Sequence, residues 1–173
     1  MQKNNTHADL LPVDQIENRL EVMGLVLPRP IVPPPGTLLP FKTVQVAGSR
    51  VLISGHGPLN ADGTVAGPLG KVGRDVTLEQ AYQSARLTAL SILGSLKLEI
   101  GDLNRIRAWR RVFGMVNSAP GFNQLPSVLN GFSDLILELY GPERGAHTRS
   151  AVGLAELPFN IPVEIEGEVE LYD

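Results

Sequence analysis

Residues 77–116, TLEQAYQSARLTALSILGSLKLEIGDLNRIRAWRRVFGMV, set a long helix directly against a strand, and this pairing decides the fold. Within Thr77–Glu99 the apolar residues fall at Leu78, Ala81, Tyr82, Ala85, Ala89, Ile92, Leu93 and Leu96, one stripe of helical period. Thr77 followed by Gln80 has the form of a capping box. From Arg105 to Val116 the period changes to that of a strand. Ile106, Ala108, Val112 and Val116 are expected on one face, and Arg105, Arg107, Trp109, Arg111 and Phe113 on the other. Arg110 interrupts the apolar side. On this reading Trp109 is a packing residue.

Downstream, Leu125–Tyr140 carries a second stripe at Leu125, Val128, Leu129, Phe132, Leu135, Ile136 and Leu139, with Pro126 in the first turn and Gly141 at the stop. Thr148–Glu156 and Val163–Leu171 read as strands joined through Leu157-Pro158. Upstream, Thr43–Ser54 reads as a hairpin turning at Ala47-Gly48-Ser49, and Asn60–Gly63 as a tight turn. Apolar spacing at Val13, Ile16, Leu20 and Met23 predicts a short helix opened by Asp14 and Glu17 and closed by Gly24. Leu27–Pro40 holds six prolines and is expected to run extended as a stiff connector. The order is hairpin, helix, strand, helix, strand, strand. It predicts an α+β domain, a mixed sheet with two helices on one face, over residues 41–173, preceded by an N-terminal helix and Pro-rich arm over 1–40.

The totals exclude several functions. The 173 residues fit one domain, and 43% hydrophobic content supports a packed core. The net charge of −3 argues against a nucleic-acid surface, which needs a basic stripe. With no cysteine there is no disulfide, zinc thiolate or thiol nucleophile. Met1–Leu10 is polar, with no signal peptide, and no apolar run approaches the ~18 residues of a membrane span. A cytoplasmic protein is expected. His7, His56 and His147 are too scattered for a local metal motif. Gly67–Gly73 has a Gly-Lys pair without the hydroxyl a P-loop needs, and Ser54 lacks the flanking glycine of a nucleophile elbow.

Two features carry chemistry. Glu164, Glu166, Glu168 and Glu170 alternate with apolar residues and share one face of the last strand. Arg105, Arg107 and Arg111 form a natural counter-ladder, either across a subunit interface or as solvated surface pairs. Arg149 opens the preceding strand, followed on its face by Ala151, Gly153 and Ala155. A planar guanidinium beside small residues leaves room for a carboxylate ligand; its other reading is a structural ion pair.

The combination Arg149-Ser150-Ala151-Val152, Leu157-Pro158 and Val163-Glu164-Ile165-Glu166 resembles the C-terminal signature of the Rid (YjgF-like) family of reactive-intermediate enamine/imine deaminases. Leu52-Ile53-Ser54-Gly55 resembles the family's first-hairpin motif, and Asn130 matches a recurring asparagine. The resemblance runs from about Pro40 to the C-terminus; the Pro-rich arm and the Val116–Phe122 segment look like a longer branch. It implies a chorismate-mutase-like fold in a barrel-like homotrimer with clefts between subunits. It also implies hydrolysis of 2-aminoacrylate-type imines to 2-keto acid and ammonia, with no metal or organic cofactor. Arg149 would grip the substrate carboxylate and Glu164 would hold the water. Ser54, Gly55, Phe41, Asn130 and Ala151 would line the substrate, with His56, Asn117 and His147 at the cleft. Phe41 departs from the family's tyrosine, and His56 from its glutamine. Ser54 reads as a hydrogen-bonding residue, and His56 as either a proton donor or a bonded bystander. A non-catalytic carboxylate-binding trimer and an endoribonuclease are the other readings. Neither a membrane nor a nucleic-acid partner is expected.

Overall fold

The computed structural model describes residues 15–31 and 40–172. Helix α1 spans Ile16–Val22. The hairpin β1 (Val44–Ala47) and β2 (Arg50–His56) follows. Next come α2 (Leu78–Ile100), β3 (Ile106–Asn117), α3 (Leu125–Gly145), β4 (Thr148–Leu154) and β5 (Val163–Leu171). The strand order is β1-β2-β5-β3-β4. Only the β3–β4 pair is parallel, because α3 carries the chain back across the sheet between them. The sheet is therefore mixed, with α2 and α3 packed on one face, as the sequence predicts.

The helices form where local signals agree. Thr77 caps α2 through the Gln80 amide at 3.2 Å, and the Gln80 side chain accepts from the Thr77 amide at 2.9 Å. The stripe of α3 is buried at Val128, Leu129, Phe132, Leu135, Ile136 and Leu139. The predicted stop at Gly141 is a kink in the left-handed region, φ 71°, after which one more turn runs to Gly145. The helices approach closely at Gly131, where any Cβ would collide with the Tyr82 backbone.

Gly24 closes α1 as predicted, at φ 66° with its amide on the Glu21 carbonyl at 2.9 Å, but the start of the helix differs from the expected cap. Its N-cap is Gln15, without a side-chain bond, and Glu17 instead receives Lys97 Nζ at 2.6 Å, Leu103 N at 3.1 Å and Asn104 Nδ2 at 3.1 Å. Val13 and Asp14, the polar tail, and the Pro33-Pro34-Pro35 run lie outside the described residues. Ile16 and Leu20 join the core formed by α2, α3 and the sheet. The extended segment after α1 crosses α2 at Gly94, where an added Cβ would stand 2.8 Å from the Pro28 carbonyl.

Two bulges on β3 correct the predicted facing of that strand. Pairing to β5 shifts between Ile106 and Ala108 and again between Trp109 and Arg111. Each bulge sets an extra residue against its partner strand and breaks the alternation. Trp109 consequently turns inward, 1% exposed, while Ala108 pairs with Glu170 on the opposite face and Arg110 turns out to solvent. The indole packs edge-on against Phe132 and Tyr140, ring centroids 5.5 and 6.0 Å away.

The glutamate ladder is as predicted, but its partners differ. Glu170 pairs with Arg107 at 3.2 Å and with Arg110, and Glu168 receives a bidentate pair from Arg50 of β2 at 2.7 Å. Arg105 is absent from this ladder, because its guanidinium donates to the Ile100 carbonyl at 2.9 Å. Among the described residues, no helix is long and apolar enough to cross a membrane.

Candidate functional site

The end of β2 is shaped by a bulge. Ile53 pairs with Gly167 and His56 with Ile165, so three steps on β2 match two on β5. The extra residue aims His56 toward α2. There its Nδ1 stands 2.7 Å from the Ser54 carbonyl and its Nε2 2.9 Å from Ser95 Oγ. A carbonyl only accepts, so Nδ1 carries a proton, and in the neutral ring, which burial favours, Nε2 accepts from the serine hydroxyl. His56 is thus a neutral ring with both nitrogens satisfied. The Ser54 hydroxyl donates to the Lys42 carbonyl at 2.7 Å, the hydrogen-bonding role expected of it.

On the same bulge Gly55 lets the Glu164 carboxylate lie against its backbone, and an added Cβ would displace that carboxylate. Glu164 is half-buried. Burial, and then the neighbouring Glu166 charge, push its carboxyl above the usual glutamate value. It lines a cavity of about 680 Å³ where β2 ends and β5 begins, together with Gly55, His56 and Phe41.

Arg149 stands elsewhere. Its guanidinium donates to Ser133 Oγ at 2.8 Å, Asn130 Oδ1 at 3.1 Å and the Pro126 carbonyl at 3.4 Å. Residues 126, 130 and 133 share one face of α3 by helical spacing. Ser133 is also 3.0 Å from His147 Nε2, and His147 Nδ1 is 2.7 Å from the Gly145 carbonyl. The same valence argument gives a relay: His147 Nδ1–H donates to the carbonyl, Ser133 O–H donates to Nε2, and Arg149 donates to Ser133. Among the described residues no carboxylate lies within ion-pair distance of Arg149, although burial pushes its guanidinium down and Asp134 only partly offsets this. Ala151 follows on the same face, partly buried against the core.

The sequence-predicted residues therefore divide into two groups. Arg149 is level with Val112, a helix-facing position of β3, whereas Glu164 is level with Met115, whose side chain points the other way. Phe41, Gly55, His56 and Glu164 share the cavity; Arg149, Asn130, His147 and Ala151 gather beside α3. Asn117 belongs to neither group. It is fully buried, accepts from Lys71 Nζ at 2.9 Å and donates to Asn160 Oδ1 and the Ile161 carbonyl, fixing the loop that walls the cavity. Sequence reasoning missed Ser95, Ser133, Phe159 and Ile161. Only Ser133 had a signal, its spacing of three from Asn130.

His56 and His147 are both held below the ordinary histidine value, with burial the largest cause. For a group whose folded pKa is lowered, the unfolded chain binds more protons below about 6.5. Stability is therefore expected to fall as pH drops from about 6.5 toward the folded values. Glu164, raised, acts oppositely from about 4.5 upward, so the informative quantity is a difference. Melting temperatures measured from pH 7.5 to 5.5 should fall less in His147→Gln than in the unaltered protein.

A family model described as "YjgF/chorismate_mutase-like, putative endoribonuclease" matches residues 17–165. Protein TCP17 of Trypanosoma cruzi is 33% identical over 157 residues, covering 91% of this chain and 94% of that protein. The crystal structure of Atu1372 from Agrobacterium tumefaciens, a protein described as of unknown function, superposes with a TM-score of 0.81 at 37% identity, covering 91% and 92% of the two chains. A "putative endoribonuclease" from Shewanella oneidensis has the same TM-score at 30% identity, covering 91% and 99%. The matched span takes in both helices, the bulged end of β2, and Arg149 and Glu164 alike: the chain belongs to the YjgF/chorismate-mutase-like family.

Proposed function

We propose that the protein hydrolyses small carboxylate-bearing imines and enamines of the 2-aminoacrylate type to 2-keto acid and ammonia, in a cleft between copies of the chain. The observation that carries this reading is Arg149. A half-buried guanidinium, oriented by three acceptors and left without an ion-pair partner among the described residues, calls for an anion to complete it. The net charge of −3 makes a small carboxylate a better fit than a phosphate chain.

Because Arg149 and Glu164 point from opposite faces, one chain cannot apply both to one substrate. A second copy supplying Arg149 beside the first copy's cavity would complete the site, and closed rotation of such heterologous contacts gives a ring. A trimer is the arrangement we propose.

The chemistry then follows from the residues. Arg149 fixes the carboxylate and so orients the adjacent C=N carbon. Glu164, its basicity raised by burial, accepts a proton as the water oxygen bonds to that carbon; the C=N π electrons move to nitrogen, which takes up a proton. Collapse of the resulting carbinolamine breaks the C–N bond, releases ammonia and forms the ketone, with no change in oxidation state. Phe41 brings no hydroxyl, so proton transfer falls to Glu164 and water.

Glu164→Gln is expected to lower kcat about 10²-fold with little change in KM, the size of a lost general base. The decisive test mixes inactive Glu164→Gln and Arg149→Ala chains, unfolded and refolded together. Sites built between copies should recover about one quarter of the unaltered activity, since half the arginines and half the glutamates remain and combine at random. No recovery, with both variants folded, would remove the shared site. Saturable binding of pyruvate without any turnover would instead favour a carboxylate-binding protein, the reading that Phe41 supports.

A further inference from the structure

We infer that the cavity beside Glu164 is a side-chain pocket for a bulky apolar 2-imino acid, of the kind derived from leucine or phenylalanine. The inference deepens the proposed hydrolysis and rests on it for the reacting end of the molecule.

Size is the first argument. The cavity holds about 680 Å³, in the range of drug-sized ligand sites. A six-heavy-atom imino acid fills roughly 150 Å³ if each atom takes somewhat less than the ~30 Å³ of a water. Most of the space would stay unfilled by the smallest substrates of this class.

The walls are the second argument. Ile31, Phe41, Leu59, Val65, Phe159 and Ile161 make them largely aliphatic and aromatic. No Arg or Lys is among the lining residues described, so the pocket holds no fixed cation for a second anionic group. The His56 ring is fully engaged by Ser54 and Ser95, which leaves the Glu164 carboxylate as the titratable group free to act. Thr43, Thr64 and Ser95 add hydroxyls to the lining, but most of its residues are apolar or glycine.

The third argument is the rim. Phe41 and Phe159 are 55% and 58% exposed, unusual for rings flanking a cavity. Phe159 also holds φ 54°, a conformation L side chains rarely adopt. Its loop is pinned by Asn160 N to the Leu157 carbonyl at 3.2 Å and by Asn117 to Asn160 and Ile161. Those surrounding bonds hold the strained backbone and set the Phe159 ring at the cavity mouth. An apolar substrate side chain would bury both rings.

Each methylene taken from water contributes about fourfold in affinity. The leucine-derived imine carries three more carbons than the alanine-derived one, which sets an upper expectation of about 60-fold. The test generates imines in situ from alanine, leucine and phenylalanine with an amino-acid oxidase and measures kcat/KM for each. Binding of pyruvate, 4-methyl-2-oxopentanoate and phenylpyruvate is measured alongside by calorimetry. We expect at least tenfold preference for the larger members in both series. Phe159→Gly, which removes the ring and relaxes the backbone together, should shrink the ratio severalfold, and Val65→Phe should shift it toward the alanine-derived imine. Equal or greater kcat/KM for the alanine-derived imine would overturn the pocket while leaving the hydrolysis intact. A ratio unmoved by both substitutions would overturn it also. Size-ordered binding of the 2-oxo acids with no hydrolysis of any imine would uphold the pocket and overturn the hydrolase reading.

Discussion

Arg149→Ala is expected to lower kcat/KM for imino-acid hydrolysis about 10³-fold, with no loss of stability beyond about 1 kcal/mol. Two charge-assisted hydrogen bonds to a carboxylate contribute about 1.5–3 kcal/mol each, and about 4 kcal/mol in sum corresponds to that factor. The small stability effect has its own cause. Within ion-pair distance among the described residues Arg149 meets only neutral acceptors, Ser133, Asn130 and the Pro126 carbonyl, at a partly exposed edge. Its removal strands no buried carboxylate. Arg149→Lys should recover part of the activity, remaining about 10²-fold down, because a lysine presents a point charge without the planar fork. Steady-state kinetics and urea denaturation on the same preparations separate the two readings that the sequence leaves open. A structural ion-pair residue would lose stability and leave the kinetics of folded molecules intact; a carboxylate clamp does the reverse.

Trp109→Ala is expected to destabilise the fold by about 3–5 kcal/mol, the range for deleting a large buried aromatic. The indole is fully packed between Phe132 and Tyr140, and its loss opens a cavity at the meeting of α3 with the central strands. For a chain of this length that is a fall in melting temperature of roughly 6–20 °C. Trp109→Phe should cost much less, below about 2 kcal/mol. Its Nε1 finds no acceptor in the core, so the phenyl ring keeps most of the packing and removes an unsatisfied donor. A Phe variant as unstable as the Ala variant would mean that the indole nitrogen makes a bond through water.

The bulges that bring Trp109 inward also explain where the sequence misleads. Strict alternation from Ile106 places Trp109 beside the arginines, and nothing in the residues of β3 alone marks two interruptions. They arise from pairing with β5, which takes its own register from the alternation of Val163, Ile165, Val169 and Leu171. The arginine–glutamate ladder shows the same dependence. The acidic row is legible in one strand, but its partners Arg50, Arg107 and Arg110 depend on which strands neighbour β5 and on where β3 is bulged.

The elements themselves were legible because their causes are local. The apolar stripes of α2 and α3, the Thr77–Gln80 cap and the Gly48 turn need only residues within a few positions of one another. Arg149, Glu164, Gly55 and Asn130 were likewise legible as a motif.

The amino-acid order alone determined the α+β layering, both ends of α2 and the start of α3 within a turn, and the family motif that carries Arg149 and Glu164. Tertiary structure decided that these two groups face opposite sides of one sheet, that Ser133 and His147 orient the guanidinium, and that an apolar cavity opens beside the carboxylate. The physical reason is range: periodicity and capping act over a few residues along the chain, whereas facing, register and cavity shape are set by strands and helices that meet only after the chain has folded.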